Sequence, residues 1–179
     1  RLMDSLGRAV TLRHAPPGVR RTLAAAGIEC KDSEGQAMKA WNTVKITFPS
    51  KSVNEGFARS AVAALASQAD PTLEQVADLK TAVSEAVTNA IVHGYPDVIG
   101  TVSLTASLLE GNVMRVVVAD RGVGIPDVAR AMQPLFTTGG PERAGLGFTI
   151  MESFMDTVKV RSAPGKGTRV TMTKRLGGR

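Results

Sequence analysis

Ser84-Glu85-Ala86-Val87-Thr88-Asn89-Ala90 sets a carboxylate and a carboxamide four residues apart, a spacing that projects both from one face of a helix. Leu79, Val83, Ala86, Val87 and Ala90 recur at helical spacing and predict that helix, with Glu85 and Asn89 along one edge of its apolar stripe. A neutral amide oxygen can ligate Mg²⁺ without cancelling its charge, and a nearby carboxylate can orient or deprotonate a nucleophile. Alone, the seven residues favour an ordinary amphipathic helix. Three Gly-containing elements follow. Asp120-Arg121-Gly122-Val123-Gly124 comes directly after an apolar run; its glycines let backbone approach a flat ligand, and Asp120 can accept a hydrogen bond from an amine such as that of adenine. Gly145-Leu146-Gly147 opens a second helical run, where free amides and the helix dipole favour phosphates. Gly167-Thr168 sits in a final hairpin, with a hydroxyl in reach of the same ligand. Each has a plain alternative as a turn or a helix entry.

The elements that must position these residues are legible from periodicity. Val44, Ile46 and Phe48 alternate as in a half-buried strand, Asn54 can cap a helix running to about Gln68, and Asp70-Pro71 begins the helix of Glu85 and Asn89, which Gly94 ends. Val102, Leu104 and Ala106 alternate, Glu110-Gly111-Asn112 turns the chain, and Val113 to Ala119 reads as a buried strand. Met132 to Gly145 is rich in Gly and Pro, too long for a plain turn and suited to a lid. A helix from Phe148 to Met155, packed by its Met and Phe side chains, and strands around Val158 to Arg161 and Val170 to Met172 complete the chain. The order β-α-α-β-β-α-β-β predicts an α/β (α+β) two-layer sandwich, a mostly antiparallel sheet with helices on one face. Neither a P-loop nor a G-x-G-x-x-G fits: Gly165-Lys166 is followed by Gly167 rather than Ser or Thr, and neither Gly122 nor Gly145 starts the dinucleotide pattern.

Composition narrows the classes. The 179 residues suffice for one well-filled core and an appendage. No apolar run approaches the roughly 20 residues of a membrane helix. The single cysteine, Cys30, can form neither an internal disulfide nor a cysteine metal cluster, which fits a reducing cytoplasm. Half of the net charge of +6 falls in residues 1–42, with seven basic and four acidic side chains. The rest is spread thinly, and one Trp, one Tyr and five Phe offer little for base stacking, so nucleic acid is a poor partner. The chain begins with Arg1 and has no charged-then-apolar leader, as a fragment or processed product would.

Order and spacing together are more specific than any one element. Glu-x-x-x-Asn on a helix, Asp-x-Gly-x-Gly, a lid, Gly-x-Gly and Gly-Thr resemble the N, G1 and G2 boxes of the GHKL ATPase and kinase superfamily, which has the Bergerat fold. SEAVTNAIVHGY (84–95), QPLFTT (133–138) and GLGFTIMESFMD (145–156) are similar to the anti-sigma factor serine kinases of endospore-forming bacteria within it. The resemblance covers most of 43–176 and implies that Asn89 ligates Mg²⁺ on the ATP phosphates and that Glu85 is the catalytic base. It also implies that Asp120 reads adenine, Gly122 and Gly124 shape the pocket with Thr168 in support, Gly145 and Gly147 embrace the phosphates, and Arg143 lies near the γ-phosphate beside Glu142. Arg59 matches an arginine of the family's partner surface, or is an exposed helix charge. His93 follows the helix but belongs to no dimerising helix pair, which argues for a packed histidine over a phosphoacceptor.

The implied protein is a homodimeric, cytoplasmic anti-sigma factor that binds ATP or ADP, inhibits a sporulation sigma factor (sigma-F-like), and phosphorylates a STAS-domain anti-anti-sigma partner. A nucleotide-gated binding module without turnover and a histidine-kinase-type catalytic domain are the alternatives. Residues 1–42 form an appendage and linker, in which Ala9 to Ile28 resembles the closing strand and helix of a STAS domain; Asp4-Ser5 is not expected to be a phosphoacceptor. Residues 43–176 form the ATP-binding domain, and 177–179 a tail.

Overall fold

Residues 38–133 and 146–177 are described by the computed structural model of the protein. β1 (Ala40–Pro49) leads into α1 (Val53–Ala66), a 3₁₀ turn (Ser67–Ala69) and the long helix α2 (Leu73–Val92). The hairpin β2 (Thr101–Leu109) and β3 (Val113–Ala119), the short α3 (Val128–Ala131), α4 (Gly147–Phe154) and the hairpin β4 (Thr157–Ser162) and β5 (Thr168–Arg175) follow. Both the α/β sandwich and its antiparallel pairing are as expected, with strand order β1-β2-β3-β5-β4.

Alternation explains the layers. Val102, Leu104, Ala106 and Leu108 of β2, Met114, Val116 and Val118 of β3, and Val170 and Met172 of β5 are buried at every second position. They form one core with Leu79, Val83, Ala86 and Val87 of α2, Ala58 and Val62 of α1, and Met151 of α4. The pairs Ile46 with Leu104, Leu104 with Val118 and Val118 with Val170 carry a row of apolar side chains across four strands. β1 is an edge strand, so of its alternating set only Phe48 is fully buried, and Val44 is exposed.

Three boundaries differ from the sequence reading. Asn54 is not the α1 cap: the helix starts after Ser52 without a side-chain cap bond, and Asn54 Nδ2 donates instead to the Pro49 carbonyl at 2.8 Å, tying the first turn to the end of β1. α2 begins at Thr72 rather than Asp70-Pro71, because Thr72 and Gln75 form a capping box. Thr72 Oγ1 accepts the Gln75 amide at 3.2 Å, and Gln75 Oε1 accepts the Thr72 amide at 3.0 Å. Asp70 is left-handed, with φ +49°, and ends the 3₁₀ turn. The third difference is α3, which is capped by Asp127 Oδ1 accepting the Arg130 amide at 2.9 Å. In the β2–β3 loop, Gly111 and Asn112 are both left-handed, which closes the predicted turn.

Candidate functional site

A cavity of about 790 Å³ opens between the second half of α2, the C-terminal end of β3 with its loop, and the start of α4. α2 contributes Glu85, Asn89 and His93, and β5 contributes Thr168 and Val170. Glu85 and Asn89 share one wall because four residues make about one helical turn. Both are half-buried, beside the fully buried Ala86 and Val87 that fix the helix against the sheet. Gly147, the first residue of α4, faces them both: a methyl group added there would lie 3.1 Å from Glu85 Oε2 and 3.1 Å from Asn89 Nδ2. Any larger residue there would push the two side chains aside. Burial raises the affinity of Glu85 for its proton, and the charge of Glu55 on α1 raises it further.

Asp120 closes the far end. Its Oδ1 accepts the amides of Gly122 at 2.8 Å and Thr168 at 3.2 Å, while its own amide donates to the Thr168 carbonyl at 2.9 Å. Burial pushes its carboxyl above the usual range, and the amide hydrogen bonds pull in the other direction. Two glycines are needed for the loop's path. A side chain on Gly122 would collide with the carbonyl of Gly94, and Gly124 has φ +74° with its open side against the Ala163 carbonyl. Among the described residues no three His, Cys, Asp or Glu side chains gather into a metal cluster. A cation here would take its protein ligand from the α2 wall.

The histidine kinase-like ATPase domain family matches residues 48–174. The anti-sigma F factor of Thermoanaerobacter sp. (strain X514) is 55% identical over 141 residues, which is 78% of this chain and 98% of that protein. The chain belongs to the anti-sigma F factor family. Another member, from Caldanaerobacter subterraneus subsp. tengcongensis, is 56% identical over 137 residues, 76% of this chain and 95% of its own. The crystal structure of the RsbU and RsbW domains of Rv1364c from Mycobacterium tuberculosis matches with a TM-score of 0.55 at 23% identity, over 75% of this chain and 32% of that one. At that identity it speaks for the fold, which is the GHKL-type ATPase fold expected of the anti-sigma F factor family.

Of the residues singled out from sequence, the fold brings Glu85, Asn89, Asp120, Gly124, Gly147 and Thr168 to one cavity, with Gly122 packed behind it. Arg143, Glu142, Gly145 and Ser5 lie outside the described residues, as does the STAS-like segment 9–28. Arg59 is on α1, away from the cavity lining, where its Nη1 donates to both carboxylate oxygens of Glu55 at 2.9 and 3.0 Å. His93 caps the end of α2 and also lines the cavity, as does Phe148, which packs against the core at the same time.

Sequence reasoning missed the residues that hold the loops. Ser162 Oγ accepts the Ile125 amide at 2.7 Å, donates to the Gly167 carbonyl at 2.8 Å and pairs with Thr168 Oγ1 at 2.9 Å. Tyr95 Oη accepts the Arg121 amide and donates to the Thr101 carbonyl, both at 2.9 Å. The Ser162 contact with Ile125 and the Tyr95 contact with Arg121 span 37 and 26 residues, so no local spacing marks them. Gly94 was legible as a helix end but not as the residue whose carbonyl receives the Val123 amide at 3.0 Å.

Proposed function

We propose that this chain is an ATP-dependent protein serine kinase that also binds and inhibits a sporulation sigma factor of the sigma-F type. Its phosphoacceptor is a serine of a STAS-domain anti-anti-sigma partner, and it acts in the cytoplasm as a homodimer, with residues 43–176 as the ATP-binding domain. Membership of the anti-sigma F factor family supports the sigma-binding half. The catalytic half rests on one observation above all, the meeting of Glu85, Asn89 and the start of α4 at Gly147 on one wall of a cavity whose far end is Asp120.

The lining of that cavity suits ATP, from Asp120 at one end to Gly147 at the other. Both loop amides go to Asp120 Oδ1, so Oδ2 is the oxygen that takes the adenine amino group. Gly122 and Gly124 admit the flat base, and Thr168, tied to Ser162, stiffens the pocket. The phosphates would lie at the start of α4, where free amides and the helix dipole receive them, and Gly145 and Gly147 would embrace them. The donor set suits Mg²⁺ rather than a softer metal: an amide oxygen, a carboxylate nearby and no clustered His or Cys among the described residues. Asn89 would hold the ion, whose contribution is to neutralise charge on the phosphates. Glu85 takes the proton of the seryl hydroxyl as its oxygen bonds to the γ-phosphorus and the bond to the β-bridging oxygen breaks, releasing ADP. Its raised proton affinity makes it a better base than an exposed glutamate. Arg143 would stabilise the charge on the transferred group, and Arg59 belongs to the partner surface on α1.

The test is incubation with γ-labelled Mg-ATP and a STAS protein. Acid-stable label on a partner serine supports the kinase, acid-labile label indicates a histidine kinase, and sigma-factor binding in ATP without any transfer indicates a nucleotide-gated binder. In the same preparation Asn89→Ala should weaken Mg-ATP binding at least about tenfold; unchanged affinity would remove its ligand role.

A further inference from the structure

Three helix hydroxyls in this fold turn back on their own backbone. Ser60, Thr81 and Ser153 each donate to the carbonyl four residues earlier, at 2.7, 3.0 and 2.9 Å. Ser84 does not. Its Oγ donates across to Glu55 Oε1 on α1 in a close hydrogen bond. The same Oε1, and its companion Oε2, accept from Arg59 Nη1 one turn further along α1. Glu55 and Arg59 are the only charged side chains of α1. The Glu55 side chain is 20% exposed and that of Arg59 42% exposed, so the chain of contacts runs from the surface inward. It ends one residue before Glu85.

From this geometry, and resting on the kinase reading above, we propose that Glu55 is a positioning residue for phosphoryl transfer, fastening the surface arginine Arg59 to Ser84 and thereby holding the turn of α2 that presents Glu85. The helix stripe alone fixes α2 against the sheet through Ala86 and Val87. Ser84, Glu85 and Asn89 lie on the half-buried side of the helix, beside that stripe. A charge-assisted bond from a neighbouring helix holds this side at Ser84. A second carboxylate this close to Glu85 is a cost: its negative charge opposes ionisation of the base. A serine that crosses between helices and an arginine that shares the same carboxylate oxygen together account for that cost. Because Arg59 lies at the outer end, a partner that engages it also pulls on the contact that holds Glu85.

The test uses Ser84→Ala, Ser84→Thr, Glu55→Gln and the Glu55→Gln/Ser84→Ala double variant, assayed for phosphotransfer to a STAS protein and for apo-state melting. Ser84→Ala should lower kcat about tenfold while leaving KM for Mg-ATP within about twofold and the melting temperature near that of the wild type. Ser84→Thr keeps the hydroxyl and should recover most of kcat, and the double variant should be no worse than the poorer single, since Ser84→Ala removes and Glu55→Gln weakens the same contact. Wild-type kcat in Ser84→Ala, equal impairment of Ser84→Thr, or additive losses would each overturn the proposal. If the wild type transfers no phosphate, the kinase reading falls by itself. The contact is then read without turnover from the ¹³C resonance of the Glu85 carboxyl in the apo protein. A resonance displaced in Ser84→Ala and restored in Ser84→Thr upholds the positioning role, and one unmoved in Ser84→Ala refutes it.

Discussion

Burial gives Glu85 its basicity and makes it a liability to the empty protein. Its folded-state proton affinity is raised, first by desolvation and then by Glu55, so its contribution to stability is fully present below the ordinary glutamate range and is lost as pH rises through the higher folded-state value. At neutral pH the ionised side chain therefore destabilises the apo fold. Glu85→Gln should melt higher than wild type at pH 7 without nucleotide, and the difference should close as pH falls below about 4; thermal unfolding across that range checks it. Gly147 poses the converse trade. Gly147→Ala favours helix formation by up to about 1 kcal/mol, yet its methyl group would stand 3.1 Å from both Glu85 and Asn89. Apo stability should hold or rise while Mg-ATP affinity falls about tenfold or more, measured by calorimetry on one preparation. Glu85 and Asn89 were legible because helical spacing constrains neighbours in sequence. The Ser162–Ile125, Tyr95–Arg121 and Glu55–Ser84 contacts were not, since each joins segments that meet only after folding.

Among the elements, α2 does most of the positioning, and its start is the part sequence reading misplaced. Asp70-Pro71 has the composition of a helix start, but the reciprocal bonds of Thr72 and Gln75 define it. Gln75 Oε1 also accepts the Gly177 amide at 3.1 Å, so this cap ties α2 to the chain after β5. Thr72→Ala should cost about 1 kcal/mol in urea unfolding, with Mg-ATP affinity unchanged because Glu85 and Asn89 lie more than two turns further on. A loss confined to nucleotide binding would contradict that division of labour. The strands and the long helices were legible from period alone. α3 was not, since its four residues carry no periodic signal and depend on the single cap at Asp127.

At the scale of the molecule, strand order makes the site. β3 and β5 are neighbours although α3, α4 and β4 lie between them in sequence. Their pairing brings Ala119 opposite Arg169, and so sets Asp120 beside Thr168. Alternation along each strand predicted an antiparallel sheet with one covered face but could not rank the strands, because register and order depend on contacts between hairpins. The order of the Gly-containing motifs did carry that information, through resemblance to a superfamily. The central claim is that this cavity transfers phosphate, with Glu85 as its base. The most direct measurement compares wild type and Glu85→Gln for Mg-ATP affinity and for labelled phosphate on the serine of a STAS partner. The account predicts affinity within about threefold and a transfer rate reduced at least about 10²-fold; full transfer by Glu85→Gln, with the same acid-stable product, would contradict it.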